Sequence, residues 1–245
     1  MAAFRTVWRA FVSLYEETLI LLGANLATLA LNIPIGLIIV LLALPFGLVW
    51  NGEQSNNIFF LGLGVVGTLL PTPGNVGLAG LTQVAAGPDV PRFAAFRAAL
   101  SSHLGLAVRC SIISVVILGI LVWNVTFYAG LGPGWPLLVT IFWLYASLFW
   151  LSLHVYLVPL LVHVAEPKVF DLYRRSAFIA VGHAGYTLVL LVLLLIVAGA
   201  AVVFLPVYVL VGPAFVSLAQ AHALREIRRR HGDLTVEPEE EVSRL

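Results

Sequence analysis

Six stretches of the chain, residues 18–48, 58–86, 104–128, 136–164, 177–198 and 206–224, are apolar over lengths close to or beyond the roughly 20 residues that a helix needs to cross a hydrocarbon core. The remaining residues offer little to build a water-facing surface, since 61% of the chain is hydrophobic and 10% charged, with a mean hydropathy of +1.03. The expected fold is all-α: a polytopic transmembrane helical bundle of about six spans over residues 1–226. A charged tail, residues 227–245, follows; its basic run and acidic, proline-containing end are expected to stay solvated and disordered.

Charge placement orients the bundle. All 13 Lys and Arg group on alternate sides of the spans: Arg5 and Arg9; Arg92, Arg97 and Arg109; Lys168, Arg174 and Arg175; and the group from Arg225 to Arg244. The intervening connections, 50–57, 124–134 and 199–205, hold none, which the positive-inside bias reads as both termini cytoplasmic. Trp50, Trp123, Phe127, Tyr128 and Trp135 gather at the opposite, outer ends, where aromatic rings favour the headgroup level. Arg5 and Arg9 precede the first stretch, Glu16 and Glu17 interrupt the approach and no small-residue cleavage site follows, so residues from 19 onward read as a retained anchor.

The second stretch contains PTPGNVGLAG, residues 71–80. Pro71 and Pro73 remove backbone donors and predict a break in that span, while Gly74, Gly77 and Gly80 leave a flank without side chains for a neighbouring helix. Freed carbonyls at such a break must face protein or water, and whether 58–86 crosses or re-enters is open at this level. Pro34, Pro45 and Pro159 predict bends or interruptions in the other spans, and Gly199 and Pro206 flank the expected turn of a C-terminal hairpin.

Two basic elbows face the cytoplasm. In the first, Pro91 opens a short helix in which Phe93, Phe96 and Leu100 recur at helical spacing beside Arg92 and Arg97, so it either rests in the inner interface or caps the bundle. In the second, Pro167 starts a helix with Val169, Phe170, Leu172 and Tyr173 towards the membrane and Lys168, Arg174 and Arg175 towards water. Arg228, Arg229 and Arg230 form a juxtamembrane run able to meet anionic lipid; nothing supports nucleic-acid binding.

Few residues carry reactive chemistry. Gly62, Gly64 and Gly67 match a dinucleotide fingerprint with Asp89 beyond, but no long helix follows to face a phosphate, so close helix packing is the better reading. Cys110 has no partner cysteine, no acidic residue lies mid-span, and neither HExxH nor GxSxG is present; no catalytic or metal-binding residue and no cofactor is expected. His154 shares a stripe with Trp143 and Trp150, which suits an interhelical hydrogen bond, with cofactor ligation or proton relay as the sharper alternative. Asn25 and Asn32, seven apart on one face, join Gln83 and His154 as a possible polar seam.

The order of several short elements resembles the YesL-like family of uncharacterised bacterial multi-span membrane proteins, often associated with carbohydrate uptake operons. The elements are Asn25 leading to Asn32-Ile-Pro34, Pro71-Thr-Pro73-Gly74, Phe93-Ala-Ala-Phe96-Arg97, and Tyr156-Leu-Val-Pro159 with Arg174-Arg175-Ser-Ala177. Residues 35–70 intervene as extra membrane sequence relative to that pattern. The resemblance implies a bacterial inner membrane protein and carries no catalytic residues. The expected function is a non-enzymatic accessory or scaffold subunit of a membrane complex, linked to carbohydrate transport, whose partners are the bilayer and another membrane protein or a second copy. The alternatives are a permease moving a neutral or weakly polar solute beside the broken second span, and a cofactor-carrying subunit ligated through His154.

Overall fold

A computed structural model describes residues 2–43, 64–164 and 168–230, and every regular element among them is helical. The helices are α1 (Ala2–Glu16), α2 (Thr18–Ala43), α3 (Pro73–Ala85), α4 (Phe93–Gly130), α5 (Trp135–His163), α6 (Val169–Gly182), α7 (Ala184–Val203) and α8 (Leu205–Arg230). Three of them, over Thr18–Ile38, Phe93–Gly130 and Trp135–His163, are long and apolar enough to cross a membrane. The pair α6 and α7 makes a fourth if counted together, though it bends by 102°.

Local chemistry explains the ends. Thr72, extended at ψ 156°, accepts a hydrogen bond from the Asn75 N–H at 3.3 Å, and Pro73 occupies the first helical position, where no donor is lost. A turn built on left-handed Gly132 (φ +88°) and Gly134 (φ +110°) separates α4 from α5. His183, at φ −125° and ψ 39°, leaves the helical region and makes the elbow between α6 and α7. Phe204 alone separates α7 from α8.

Three runs are buried at every residue: 68–82, 151–161 and 212–221. A helix enclosed on all sides is a core helix, so the interior consists of α3, the second half of α5 and the middle of α8. Cross-links show that these three run in the same direction. Gln220 donates to the His154 carbonyl and Arg228 to His163; along the same helix, Tyr208 bonds Gly64, Ser217 bonds Thr82 and Arg225 bonds Ala86.

Glycines set the spacing around α3. A Cβ on Gly80 would sit 2.3 Å from the Ala99 Cβ, one on Gly77 would sit 2.9 Å from the Phe96 ring, and one on Gly74 would sit 2.6 Å from the Thr28 carbonyl oxygen. Thus α4 and α2 both approach α3 closely.

Several expectations need correction. The short helix expected after Pro91 is the first part of one continuous α4, and its Phe96 is buried against Gly77 rather than resting in an interface. No proline interrupts residues 93–130, and a ring-sized space opposite Gly77 draws Phe96 inward. The stretch 177–198 is divided by the His183 elbow: Ala177 belongs to α6, whose Leu172 and Tyr173 turn towards the bundle, and the straight helix is Ala184–Val203. Helix α7 runs through Gly199, so the turn lies at Phe204. Pro34 and Pro159 lie inside helices that continue past them. Residues 227–230 belong to α8 rather than to a tail; residues 231–245, Pro45, Trp50, Gly62, residues 58–63 and Pro167 lie outside the described residues.

Candidate functional site

Among the described residues, several buried polar side chains lie on α3 and on the parts of α5 and α8 packed against it. Ahead of α3 the backbone is helical at 64–67 and irregular at 68–72, which leaves carbonyls without helical partners. Asn75 folds back to serve them: its Nδ2 donates to the carbonyls of Gly67 (2.7 Å) and Leu70 (2.8 Å). Ser111 donates to the Pro71 carbonyl at 2.9 Å, Thr28 to the Gly74 carbonyl at 3.2 Å, and Tyr208 to the Gly64 carbonyl at 2.8 Å. Asn32 reaches the same place and donates to Asn75 Oδ1 at 3.2 Å.

A second cluster lies where α4, α5 and α6 meet. His154 is fully buried, with Nδ1 at 2.8 Å from the Trp150 carbonyl and Nε2 at 2.8 Å from Ser114 Oγ. A carbonyl only accepts, so Nδ1 carries the proton and Nε2 accepts from the serine hydroxyl. Tyr173 stands 2.8 Å from the same oxygen and donates to the Cys110 carbonyl at 3.0 Å, with its ring stacked on Trp150. A serine on a histidine nitrogen is the spacing of a nucleophile and its base. Here both side chains are 0% exposed, so the arrangement joins three helices instead of presenting a nucleophile.

The third feature is the end at which α3, α5 and α8 finish. Helix C-termini carry partial negative charge and unpaired carbonyls. Arg225 donates to the carbonyls of Ala86 and, at 3.4 Å, Gln83, closing the end of α3. Arg228 donates to His163 Nε2 at 2.6 Å. Arg229 and Arg230 pair with Glu226 at 3.0 and 3.1 Å, and Arg230 lies over the Tyr186 ring, 5.4 Å from its centre.

The residues singled out in the sequence are thus placed as follows. Asn25 Oδ1 accepts the Ala214 N–H at 2.9 Å, Asn32 bonds Asn75, Gln83 donates to the Pro159 carbonyl at 2.6 Å, and His154 joins Ser114. Each of the four bonds a different helix partner. Pro71, Pro73, Gly74, Gly77 and Gly80 lie together at the start of α3 and along it. Arg92, Arg97, Lys168, Arg174 and Arg175 are exposed, whereas Arg228 bonds His163 and Arg229 and Arg230 share the single carboxylate of Glu226.

Sequence reasoning missed Asn75, Thr28, Tyr173 and Arg225. For Asn75 a signal existed: an Asn three residues after a Thr-Pro helix start can reach the open carbonyls behind it. Among the described residues, no group of three His, Cys, Asp or Glu side chains could hold a metal ion. A shallow depression of about 390 Å³ lies at the joint of α1 and α2, lined by residues 15–20 and Pro91, away from all three clusters. Comparison with protein-family profiles, with curated proteins and with solved structures finds no match to this chain.

Proposed function

We propose that this chain is a non-enzymatic accessory or scaffold subunit of a bacterial membrane complex, crossing the bilayer six times with both termini cytoplasmic. In this reading residues 58–86 form the second crossing, broken at Pro71 and Pro73. The common direction of α3, α5 and α8 supports it, because the second, fourth and sixth crossings of such a chain must run parallel.

One observation carries the scaffold assignment. Asn25 through Oδ1, Gln83 through Nε2 and His154 through Nε2 each bond a different helix at 2.6 to 2.9 Å, so these groups serve to tie helices together. With both nitrogens of His154 engaged, ligation of a cofactor would first have to break those bonds. A membrane-protein partner or a second copy would meet the apolar outer faces of α4 and α5, and the link to carbohydrate uptake rests on the family resemblance.

A second reading, the permease, is favoured by one atom: Asn32 Oδ1 is buried beside the start of α3 and has no hydrogen-bond partner. Two measurements separate the readings. Mild-detergent purification from the native host should yield a stoichiometric protein partner, and liposomes holding the chain alone should pass none of a panel of sugars. Flux by the chain alone, reduced by Asn32→Leu, would overturn the scaffold reading.

A further inference from the structure

We propose that α1 and α6 are in-plane helices that bind the anionic headgroup layer at the basic end of the bundle. The proposal rests on reading α7 as one membrane crossing. Helix α7 has 20 residues, about 30 Å of helix, which is the thickness of one hydrocarbon core. Its first residue follows the 102° elbow, so when α7 stands across the bilayer α6 lies along the bilayer surface.

Helix α1 is fixed at the same level. Thr6 shares a hydrogen bond of 2.8 Å with Tyr186, two residues into the first turn of α7, and Ser13 meets His222 of α8 at 3.1 Å. The face turned to the bundle is small and closely packed: Ala3, Thr6, Ala10 and Ser13 are buried. The opposite face carries Phe4, Trp8 and Tyr15, which are 63%, 68% and 86% exposed. On α6 the outward face carries Phe170 and Phe178, 76% and 71% exposed.

Aromatic residues in such number at one level fit the boundary of headgroups and acyl chains, where rings keep their bodies in lipid and their edges among polar groups. Charge selects the lipid. Arg5 on α1 and Lys168, Arg174 and Arg175 around α6 are exposed, and the acids on these two helices are Glu16, at the far end of α1, and Asp171. The excess of cations beside the aromatic faces complements phosphatidylglycerol-type headgroups.

The test uses the full chain in nanodiscs of phosphatidylcholine with or without phosphatidylglycerol. The emission lost in Trp8→Phe isolates Trp8 from the other tryptophans. That component should be quenched by lipids carrying a nitroxide high on the acyl chain, weakly by lipids carrying it near the chain end, and hardly at all by aqueous acrylamide. Acrylamide quenching of Trp8, or quenching by neither agent because a protein covers the face, overturns the proposal. Trp143, on α5, read from Trp143→Phe, is the control: lipid quenching there without any at Trp8 sinks the in-plane helix and leaves the membrane reading intact. Enrichment of labelled phosphatidylglycerol over phosphatidylcholine should fall about fivefold for each of Arg5, Arg174 and Arg175 changed to Gln, with Lys at the same positions retaining it. Enrichment unchanged in the triple Gln variant would also overturn the proposal.

Discussion

Gly80→Ala adds one methyl group at the tightest point between α3 and α4. The new carbon would lie 2.3 Å from the Ala99 Cβ and 3.0 Å from the Ala95 carbonyl oxygen, neither of which belongs to a flexible side chain. Carbon atoms rest about 3.5–4.0 Å apart, so the two helices must separate by roughly 1.5 Å. That strains a region buried at every residue from 68 to 82. Overpacking of this kind costs about 1–3 kcal/mol, and the absence of any yielding side chain places Gly80 at the upper end. Against it stands a gain of about 1 kcal/mol from replacing Gly by Ala within a helix. The net expectation is a loss of about 2 kcal/mol. Gly105→Ala is the matched control, because it lies in α4 with nothing within 4 Å of its added carbon and keeps only the propensity gain. Reversible unfolding in mixed micelles, titrated with denaturing detergent and followed by helicity, gives both values. If Gly80→Ala proves as stable as Gly105→Ala, the close packing of α3 on α4 is wrong.

Three further perturbations address the polar contacts. Asn75→Ala strands the Gly67 carbonyl and the Asn32 amide and removes one of two donors to the Leu70 carbonyl, which also accepts the Thr72 N–H; it should cost about 2–3 kcal/mol, with faster hydrogen exchange in the first turns of α3, and exchange confined to the parent rate would argue against the role of this side chain. Arg225→Met removes the guanidinium from the end of α3 and should cost about 1–3 kcal/mol, seen as raised exchange at residues 83–87, with Lys restoring part of the protection. Ser114→Ala and Tyr173→Phe should each cost about 1 kcal/mol, and the double variant should depart from their sum by at least about 0.5 kcal/mol; additive losses would show that the two hydroxyls act separately.

The apolar stretches were legible as helices because length and hydropathy alone decide what a backbone does in lipid. The glycine flank of 74–80 was legible too, since small residues three apart predict a close neighbour whatever that neighbour is. Partners were not legible. Nothing in Phe96 distinguishes a ring that rests in an interface from one that fills the space opposite Gly77, because only the crossing of α3 and α4 creates that space. The elbow at His183 was hidden within an apolar run, and α1 was read only through its charges, although its aromatic and small faces alternate at helical spacing. The break before α3 was attributed to Pro71 and Pro73, whereas the contacts around it assign as much to Asn75, Thr72 and Ser111.

The burial of α3 also bears on how the chain is made. Its walls come from α2 and α4, which flank it in sequence, and from α5 and α8, of which α8 is the last among the described helices to be synthesised. Until α8 arrives, Thr82 lacks Ser217, the carbonyls of Gln83 and Ala86 lack Arg225, and the Gly64 carbonyl lacks Tyr208. A nascent chain therefore leaves these groups without their final partners until α8 is made. A chain cut short before Leu205 is therefore expected to leave the core face of α3 unpaired and to be unstable, because the contacts that close it come from a helix made long after it.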